Sequence, residues 1–134
     1  MKTQVVLSKA DNQIICTDFC EGKKHDFRLF QDSAVHCLEE TTLLADSGYL
    51  GINRIHLNSQ IPKKSSKKNP LSKTDKRSNQ AFSSRRIVVE NVIGSVKRYR
   101  ILSQRYRNRR KRFALRFNLI AAIHNFELWV MQEV

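Results

Sequence analysis

The chain has 134 residues, a length that fits one domain with a hydrophobic core of its own. With 40% apolar and 28% charged residues, its composition is that of a globular protein and excludes a disordered chain. The net charge of +13 predicts a polyanionic partner, and the sequence shows neither an apolar run long enough to span a membrane nor a secretory signal.

The first predicted elements are two short strands. Residues 4–7 and 13–17 are rich in β-branched and apolar side chains, and Asp11 and Asn12 between them favour a turn. Together they predict an antiparallel hairpin. Without a secretion signal, an odd number of cysteines predicts reduced thiols in a cytosolic protein. They are Cys16, Cys20 and Cys37.

The next segment contains the first candidate site residue. Apolar side chains at helical spacing predict a helix over residues 25–38, and residues 41–45 predict a buried strand that ends at Asp46. An Asp at the carboxyl end of a buried strand lies where α/β proteins build their sites. A turn Asp that accepts a hydrogen bond from its own backbone is the alternative, and the residues leave it open.

Positive charge is concentrated in the second half of the chain. Residues 1–46 contain five Lys or Arg and eight acids, whereas residues 63–112 contain 18 Lys or Arg and two acids. One face of the protein is therefore expected to meet the polyanion. Residues 58–80, which overlap the start of this part, lack apolar periodicity and predict a flexible basic loop, which is either a solvated linker or a phosphate-contacting arm.

The remaining residues, 84–128, are predicted to be helical, with Ser83 or Ser84 as the cap. Arg86, Glu90 and Lys97 are spaced by four and seven residues, so they share one helix face. Residues 113–128 are apolar on most sides, which predicts the most buried helix of the protein.

Glu90 is one of the two acids in the basic stretch. It either pairs with Arg86 four residues earlier, an interaction of a few tenths of a kcal/mol, or ligates a hard cation such as Mg²⁺ or Mn²⁺. A carboxylate that binds metal, set among phosphate-binding cations, indicates a metal-dependent enzyme of the nucleic-acid backbone.

Several short motifs in this order resemble the DDE transposases of bacterial insertion sequences. Ala45–Gly51 resembles the segment with the family's second catalytic Asp, and Arg86, Glu90 and Lys97 match the family's Tyr-Arg-Glu-Lys signature, in which Ser83 replaces the Tyr. The other matching segments are residues 22–27 (a Gly-x-x-His-Asp element), 61–64, 106–113 and 117–125.

The resemblance implies an α/β, incomplete ribonuclease H-like fold over residues 1–134, with an N-terminal hairpin, one further central strand and several helices. The family's first catalytic Asp lies upstream, so the first strand or strands are expected to be missing. Asp46 and Glu90 are the implied catalytic and metal-binding residues, expected to face one cleft with Mg²⁺ or Mn²⁺. The expected DNA contacts are Arg86, Lys97, Lys63, Lys64, Arg85, Arg107, Arg109 and Arg110.

The function implied by the resemblance is DNA transposition by metal-dependent cleavage and strand transfer, acting on transposon ends and target DNA in the bacterial cytoplasm, at the nucleoid. With one carboxylate absent, we expect the chain alone to bind Mg²⁺ weakly and cleave poorly. An upstream transposase segment or a second copy of the chain is the expected protein partner, and no membrane is expected. The alternative function is a non-enzymatic basic module that binds nucleic acid.

Overall fold

The structure is a computed structural model that describes residues 1–103 and 110–133, with all side chains in these ranges except those of Ser103, Arg110 and Lys111. It is mixed α/β, as predicted, and divides into two compact units. We call Met1–Gly22 with Val88–Val134 the hairpin unit, and Lys23–Ile87 the turn unit. No helix within the described ranges has the length and apolarity needed to cross a membrane.

The hairpin unit begins with the predicted antiparallel pair. Strand β1 (Lys2–Leu7) pairs with β2 (Ile14–Cys20), with a register irregularity between Val6 and Leu7. The turn between them uses Asn12 in the left-handed conformation, φ 61°. The predicted hairpin is therefore confirmed. The other described elements of this unit are the end of helix α2 (Lys73–Lys97), then α3 (Arg100–Ser103) and α4 (Arg110–Glu133).

An apolar cluster of described residues holds the hairpin unit together. Val96, 1% exposed, and its neighbours from α2 and α3 pack with the buried side of α4. Phe19 of β2 packs edge-on against Phe113 and Phe117, with ring centroids 5.9 and 5.5 Å apart. The buried members of the cluster are Ile14, Val92, Val96, Leu102, Phe113, Phe117, Ile120 and Ala121.

Polar side chains of α4 fix the hairpin on the helix. The amide of Asn125 bonds both backbone groups of Ile14: its Oδ1 accepts from the Ile14 N–H, and its Nδ2 donates to the Ile14 carbonyl, each at 2.8 Å. Asn118 bonds the Thr17 hydroxyl, and His124 Nε2 lies 3.2 Å from the carbonyl of Asn12. The side chain of Asn125 thereby takes the place that a third strand would have beside Ile14.

The turn unit contains short elements joined by close turns. Helix α1 (Asp26–Ser33) is followed by β3 (Leu43–Leu44), two 3₁₀ turns (Ser47–Tyr49 and Ile52–Arg54), β4 (Ser59–Gln60) and the first part of α2. Strands β3 and β4 pair in parallel. The buried apolar side chains of this unit are Leu29, Phe30, Ile52 and Phe82.

The start of α2 was predicted wrongly. The helix begins at Lys73 rather than at Ser83 or Ser84, because Ser72 and Asp75 form a capping box: the Asp75 N–H donates to Ser72 Oγ, and the Ser72 N–H donates to Asp75 Oδ2. Residues 73–80 are thus helical, and the irregular basic segment is limited to residues 61–72.

Three further predictions differ from the structure. Helix α1 ends at Ser33 instead of residue 38, because Ala34 adopts the left-handed conformation with φ 50°. The strand before Asp46 is only two residues long, half-buried, and lies in a two-stranded sheet rather than a central one. Helix α4 is buried along one face only, with Phe113 and Phe117 inside and Leu119 and Phe126 exposed. The expected burial of α4 therefore applies to one of its faces.

Candidate active site

Asp46 caps the turn that follows β3. Its backbone is extended, and its Oδ1 accepts a hydrogen bond from the Ser47 N–H at 2.6 Å, while its carbonyl accepts from the Tyr49 N–H at 2.9 Å. The reading of Asp46 as a turn Asp bonded to its own backbone is confirmed. The side chain is 52% exposed, so the turn fixes a carboxylate that solvent and ligands can reach.

The Asp46 turn packs on helix α1 through small and aromatic residues. A Cβ at Gly48 would collide with the carboxylate of Asp26, so glycine at this position lets the turn approach α1 closely without displacing that side chain. Tyr49 packs edge-on against Phe30 at 6.3 Å between ring centroids. The residues that resemble the Gly-x-x-His-Asp motif and those that resemble the second-Asp motif are therefore in contact within the turn unit.

Gly51 allows the sharp reversal after the Asp46 turn. Its φ is +102°, a backbone conformation that side chains with a Cβ rarely adopt, and the ring of Phe27 lies where such a Cβ would point, 3.2 Å away. Both the backbone angle and the contact with α1 require glycine here. Gly48 within the Asp46 turn and Gly51 after it thus both allow close packing on α1.

Arg86 meets Asp46 in the turn unit. Its Nη1 lies 3.5 Å from Asp46 Oδ1, and its side chain is 26% exposed. The two residues come from different parts of the sequence, the turn after β3 and helix α2, and both were predicted from the same family resemblance. The structure thus brings together the candidate carboxylate and a cation from the signature motif.

Glu90 and Lys97 lie farther along α2, in the hairpin unit, and both are exposed. Because α2 is helical from Lys73 to Lys97, the prediction that Arg86, Glu90 and Lys97 share one helix face is confirmed. Lys97 is the last residue of the helix, where a cation interacts favourably with the helix dipole.

Lys63 has partners within the protein. Its ammonium donates to Asp75 Oδ1 at 3.1 Å, while its backbone N–H and carbonyl both bond the amide of Asn79. The hydrogen bond from Lys63, together with those from Ser72, holds the pKa of the Asp75 carboxyl below its usual range. Lys64 is exposed. The start of the basic segment is therefore fixed on α2.

Arg85 lies on the same part of α2. Its Nη2 donates to Gln60 Oε1 at 2.6 Å, and its guanidinium lies 6.0 Å from the centre of the Phe82 ring. Arg85, Phe82 and Lys63 are among the residues that line a cleft of ≈ 510 Å³ in the turn unit. Of the other predicted DNA contacts, Arg107 and Arg109 lie outside the described residues, as does the side chain of Arg110.

Sequence reasoning missed two features of this region. Asp26 was seen only as part of a motif, yet its carboxylate lies beside the Asp46 turn at Gly48. The capping box at Ser72 and Asp75 was also missed. Its signal, a Ser followed three residues later by an acid, is present in the sequence.

The donor chemistry of the candidate ligands fits a divalent cation only in part. Asp46 and Glu90 are exposed carboxylates, and oxygen ligands of this kind suit Mg²⁺ and Mn²⁺. Within residues 1–103 and 110–133, however, no three His, Cys, Asp or Glu side chains lie close enough to hold a metal together. The described residues therefore offer individual ligands rather than a complete cluster.

Comparison with known families decides the relationship. The family model described as DDE superfamily endonuclease matches residues 1–125. The chain belongs to this family. The resemblance to a DDE transposase is thus confirmed, since the match includes the Asp46 turn and the signature residues of α2.

One relative of this DDE family member is the protein named "Probable transposase for insertion sequence element IS702" from Microchaete diplosiphon. The two are 47% identical over 128 residues. The alignment covers 96% of this chain and 46% of the relative, so the chain spans about half the length of that protein. No solved structure matches the chain.

Proposed function

We propose that this chain takes part in DNA transposition, as a portion of a DDE endonuclease with a ribonuclease H-like fold that acts on transposon DNA in bacteria, at the nucleoid. The observation that supports this most strongly is the meeting of motifs in the turn unit. The Asp46 turn packs on α1 through Gly48 and Gly51, and Arg86 of the signature motif pairs with Asp46.

We propose Asp46 and Glu90 as carboxylate ligands of Mg²⁺ or Mn²⁺. The Ser47 N–H fixes one oxygen of Asp46 and leaves a half-exposed carboxylate for a ligand. When bound, two such ions supply Lewis-acid activation of a phosphodiester and of the water or 3′-hydroxyl that attacks it. The protein's own contribution is to hold the carboxylates in place and to keep their negative charge among many cations.

The cations of α2 have a second role in this proposal. Arg86 offers a planar guanidinium that suits a phosphate, and Lys97 adds a point charge on the same helix face. In the structure Arg86 is already paired with Asp46. We infer that a DNA phosphate competes with Asp46 for Arg86, so that DNA binding releases the carboxylate for a metal.

One observation favours a second candidate function, a basic module that binds nucleic acid without catalysis. Asp46 has two partners within the protein, the Ser47 N–H and the Arg86 guanidinium. Partners of these two kinds are typical of a carboxylate that stabilises the fold. In that case the basic residues between 63 and 112 carry the whole function through phosphate contacts.

Metal titration of four proteins distinguishes the two functions. Mn²⁺ affinity is measured by electron paramagnetic resonance for the wild type, Asp46→Asn, Glu90→Gln and the matched control Glu39→Gln, which changes an exposed glutamate outside the proposed site. We expect each ligand variant to lose at least tenfold in affinity, by analogy with the ~10–100-fold that second-shell changes cost. The control should be unchanged.

The opposite results reject the metal site. If all four proteins bind Mn²⁺ equally, or none binds it at millimolar concentration, Asp46 and Glu90 are not ligands. Salt-sensitive DNA binding that persists in both ligand variants would then support the basic module.

A further inference from the structure

The turn unit contains a cleft that the proposed metal chemistry does not use. Its walls are the turn at Asn53, residues 59–63 and one face of α2 from Asp75 to Arg85, so every residue that lines it belongs to this unit. Neither Asp46 nor Glu90 is among the lining residues. We call this space the α2 cleft.

The size of the α2 cleft limits what can enter it. Its volume of ≈ 510 Å³ lies within the ~300–1,000 Å³ of sites that bind small ligands. A compact space of ≈ 510 Å³ is about 8 Å across, whereas the major groove of B-DNA alone is ~12 Å wide. A double helix therefore cannot enter the cleft, but a single nucleotide can.

The charges in the cleft leave one cation without an acidic partner. Lys63 and Asp75 line the cleft and pair with each other at 3.1 Å. The third charged lining residue is Arg85, whose Nη2 donates instead to the neutral amide of Gln60 at 2.6 Å. One surplus positive charge matches the single negative charge of a nucleotide in a DNA strand.

Arg85 is also held so that its guanidinium offers a flat surface. The group lies over the ring of Phe82, 6.0 Å from the ring centre, and the bond to Gln60 fixes its edge. Phe82 is only 5% exposed, so the ring supports the guanidinium from within the fold. Unstacked nucleobases stack on guanidinium planes of this kind.

Polar side chains around this surface have hydrogen-bonding capacity left. The Asn53 amide and the Ser78 hydroxyl bond no group in the described part of the chain, and Gln60 uses its Oε1 while its Nε2 keeps its donors. An amide offers a donor and an acceptor side by side, which suits the edge of a nucleobase. The Asn79 amide, by contrast, bonds both backbone groups of Lys63 and fixes the wall.

We propose that the α2 cleft binds one unpaired nucleotide of a DNA strand, with its base stacked on Arg85 and its base edge bonded by Asn53 and Gln60. The inference rests on DNA as the substrate of the proposed function, but it uses neither of the proposed metal ligands. A free mononucleotide has the same chemistry, so the test must separate the two sources.

Fluorescence anisotropy with three DNA probes tests the proposal. The probes are a duplex, the same duplex with one bulged deoxyadenosine, and the same duplex with an abasic bulge, which keeps the flexibility and the phosphate but lacks the base. We expect the wild type to bind the deoxyadenosine bulge at least about tenfold more tightly than the duplex, a gain that one stacked base can supply. The abasic bulge should bind like the duplex.

Two variants locate this preference in the cleft. Ala81→Leu fills the space with a larger side chain of good helix propensity and should bring the affinity ratio of bulge to duplex close to one. Gln80→Leu is the matched control, since Gln80 is exposed on α2 but does not line the cleft, and its ratio should equal that of the wild type. Asn53→Ala is a second cleft variant and should lower the ratio.

Three results would overturn the proposal. An abasic bulge that binds as tightly as the deoxyadenosine bulge shows that no base is held. A preference that persists in both Ala81→Leu and Asn53→Ala belongs to another surface. Deoxyadenosine monophosphate that displaces the bulged probe at micromolar concentration assigns the cleft to a free nucleotide, whereas we expect no displacement below millimolar concentration.

The duplex probe separates this inference from the proposed function. A chain that binds the duplex and the bulged probe equally well fails the inference alone. A chain that binds none of the three probes fails the inference and the proposed function together.

Discussion

Removing the amide of Asn125 tests how the hairpin is attached to α4. In Asn125→Ala, the N–H and carbonyl of Ile14 both lose their 2.8 Å partner. Ile14 is only 7% exposed, so water cannot replace that partner without opening the contact. A net loss of ~0.5–1.5 kcal/mol per hydrogen bond, or ~1–3 kcal/mol for each group left unsatisfied, gives an expected destabilisation of about 2–4 kcal/mol.

Urea unfolding measures this loss. With an m value of ~2 kcal/mol/M, the middle of the usual range, a loss of that size lowers the transition midpoint by about 1–2 M. The matched control is Asn118→Ala, which removes one exposed hydrogen bond to Thr17 from the same helix and should cost less than ~1 kcal/mol. Amide exchange at Ile14 should also accelerate in Asn125→Ala. If both variants unfold at the wild-type midpoint, the Asn125 amide does not hold the hairpin.

Three further predictions concern other parts of the chain. Gly48→Ala should destabilise the protein by ~1–3 kcal/mol in thermal unfolding, because the added Cβ would strike the carboxylate of Asp26. Gly94→Ala is the control: the position is helical with open space around it, so the change should be neutral or stabilising. Since the hydrogen bond from Lys63 lowers the pKa of Asp75, this pair stabilises the fold above the unfolded pKa of ~3.9 and loses its effect as the pH falls. The difference in unfolding free energy between wild type and Asp75→Asn should therefore shrink at acid pH. A difference that stays constant with pH would contradict this. DNA affinity should fall by ~10³–10⁵ between 50 and 200 mM salt if six to ten phosphates are contacted, and salt-independent binding in an anisotropy titration would rule that out.

Local sequence signals were sufficient for elements defined by their own residues. The hairpin follows from β-rich segments on both sides of Asp11 and Asn12, and the structure has the turn there. The shared face of Arg86 and Glu90 follows from their spacing once the segment is helical. The start of α2 is also encoded locally, in the capping box of Ser72 and Asp75.

The candidate site was predictable only in its parts. The turn at Asp46 has a local cause, the small residues that follow it, and was predicted. The packing of Gly48 against Asp26 and the ion pair between Arg86 and Asp46 join residues distant in sequence, and no periodicity within one segment reports such contacts. Motif order suggested which residues belong together, but not which atoms meet.

The amino-acid sequence by itself determined the hairpin, the helix face of the signature residues and the concentration of positive charge, because each depends on residue type and on spacing within one segment. Tertiary structure decided which side of α4 is buried, since Phe117 and Leu119 are equally apolar and only packing against the hairpin selects one of them. It also decided that Asn125 bonds the Ile14 backbone and that Lys63 pairs with Asp75. A hydrogen bond or ion pair needs two groups at a fixed distance, and that distance exists only after distant segments have folded together.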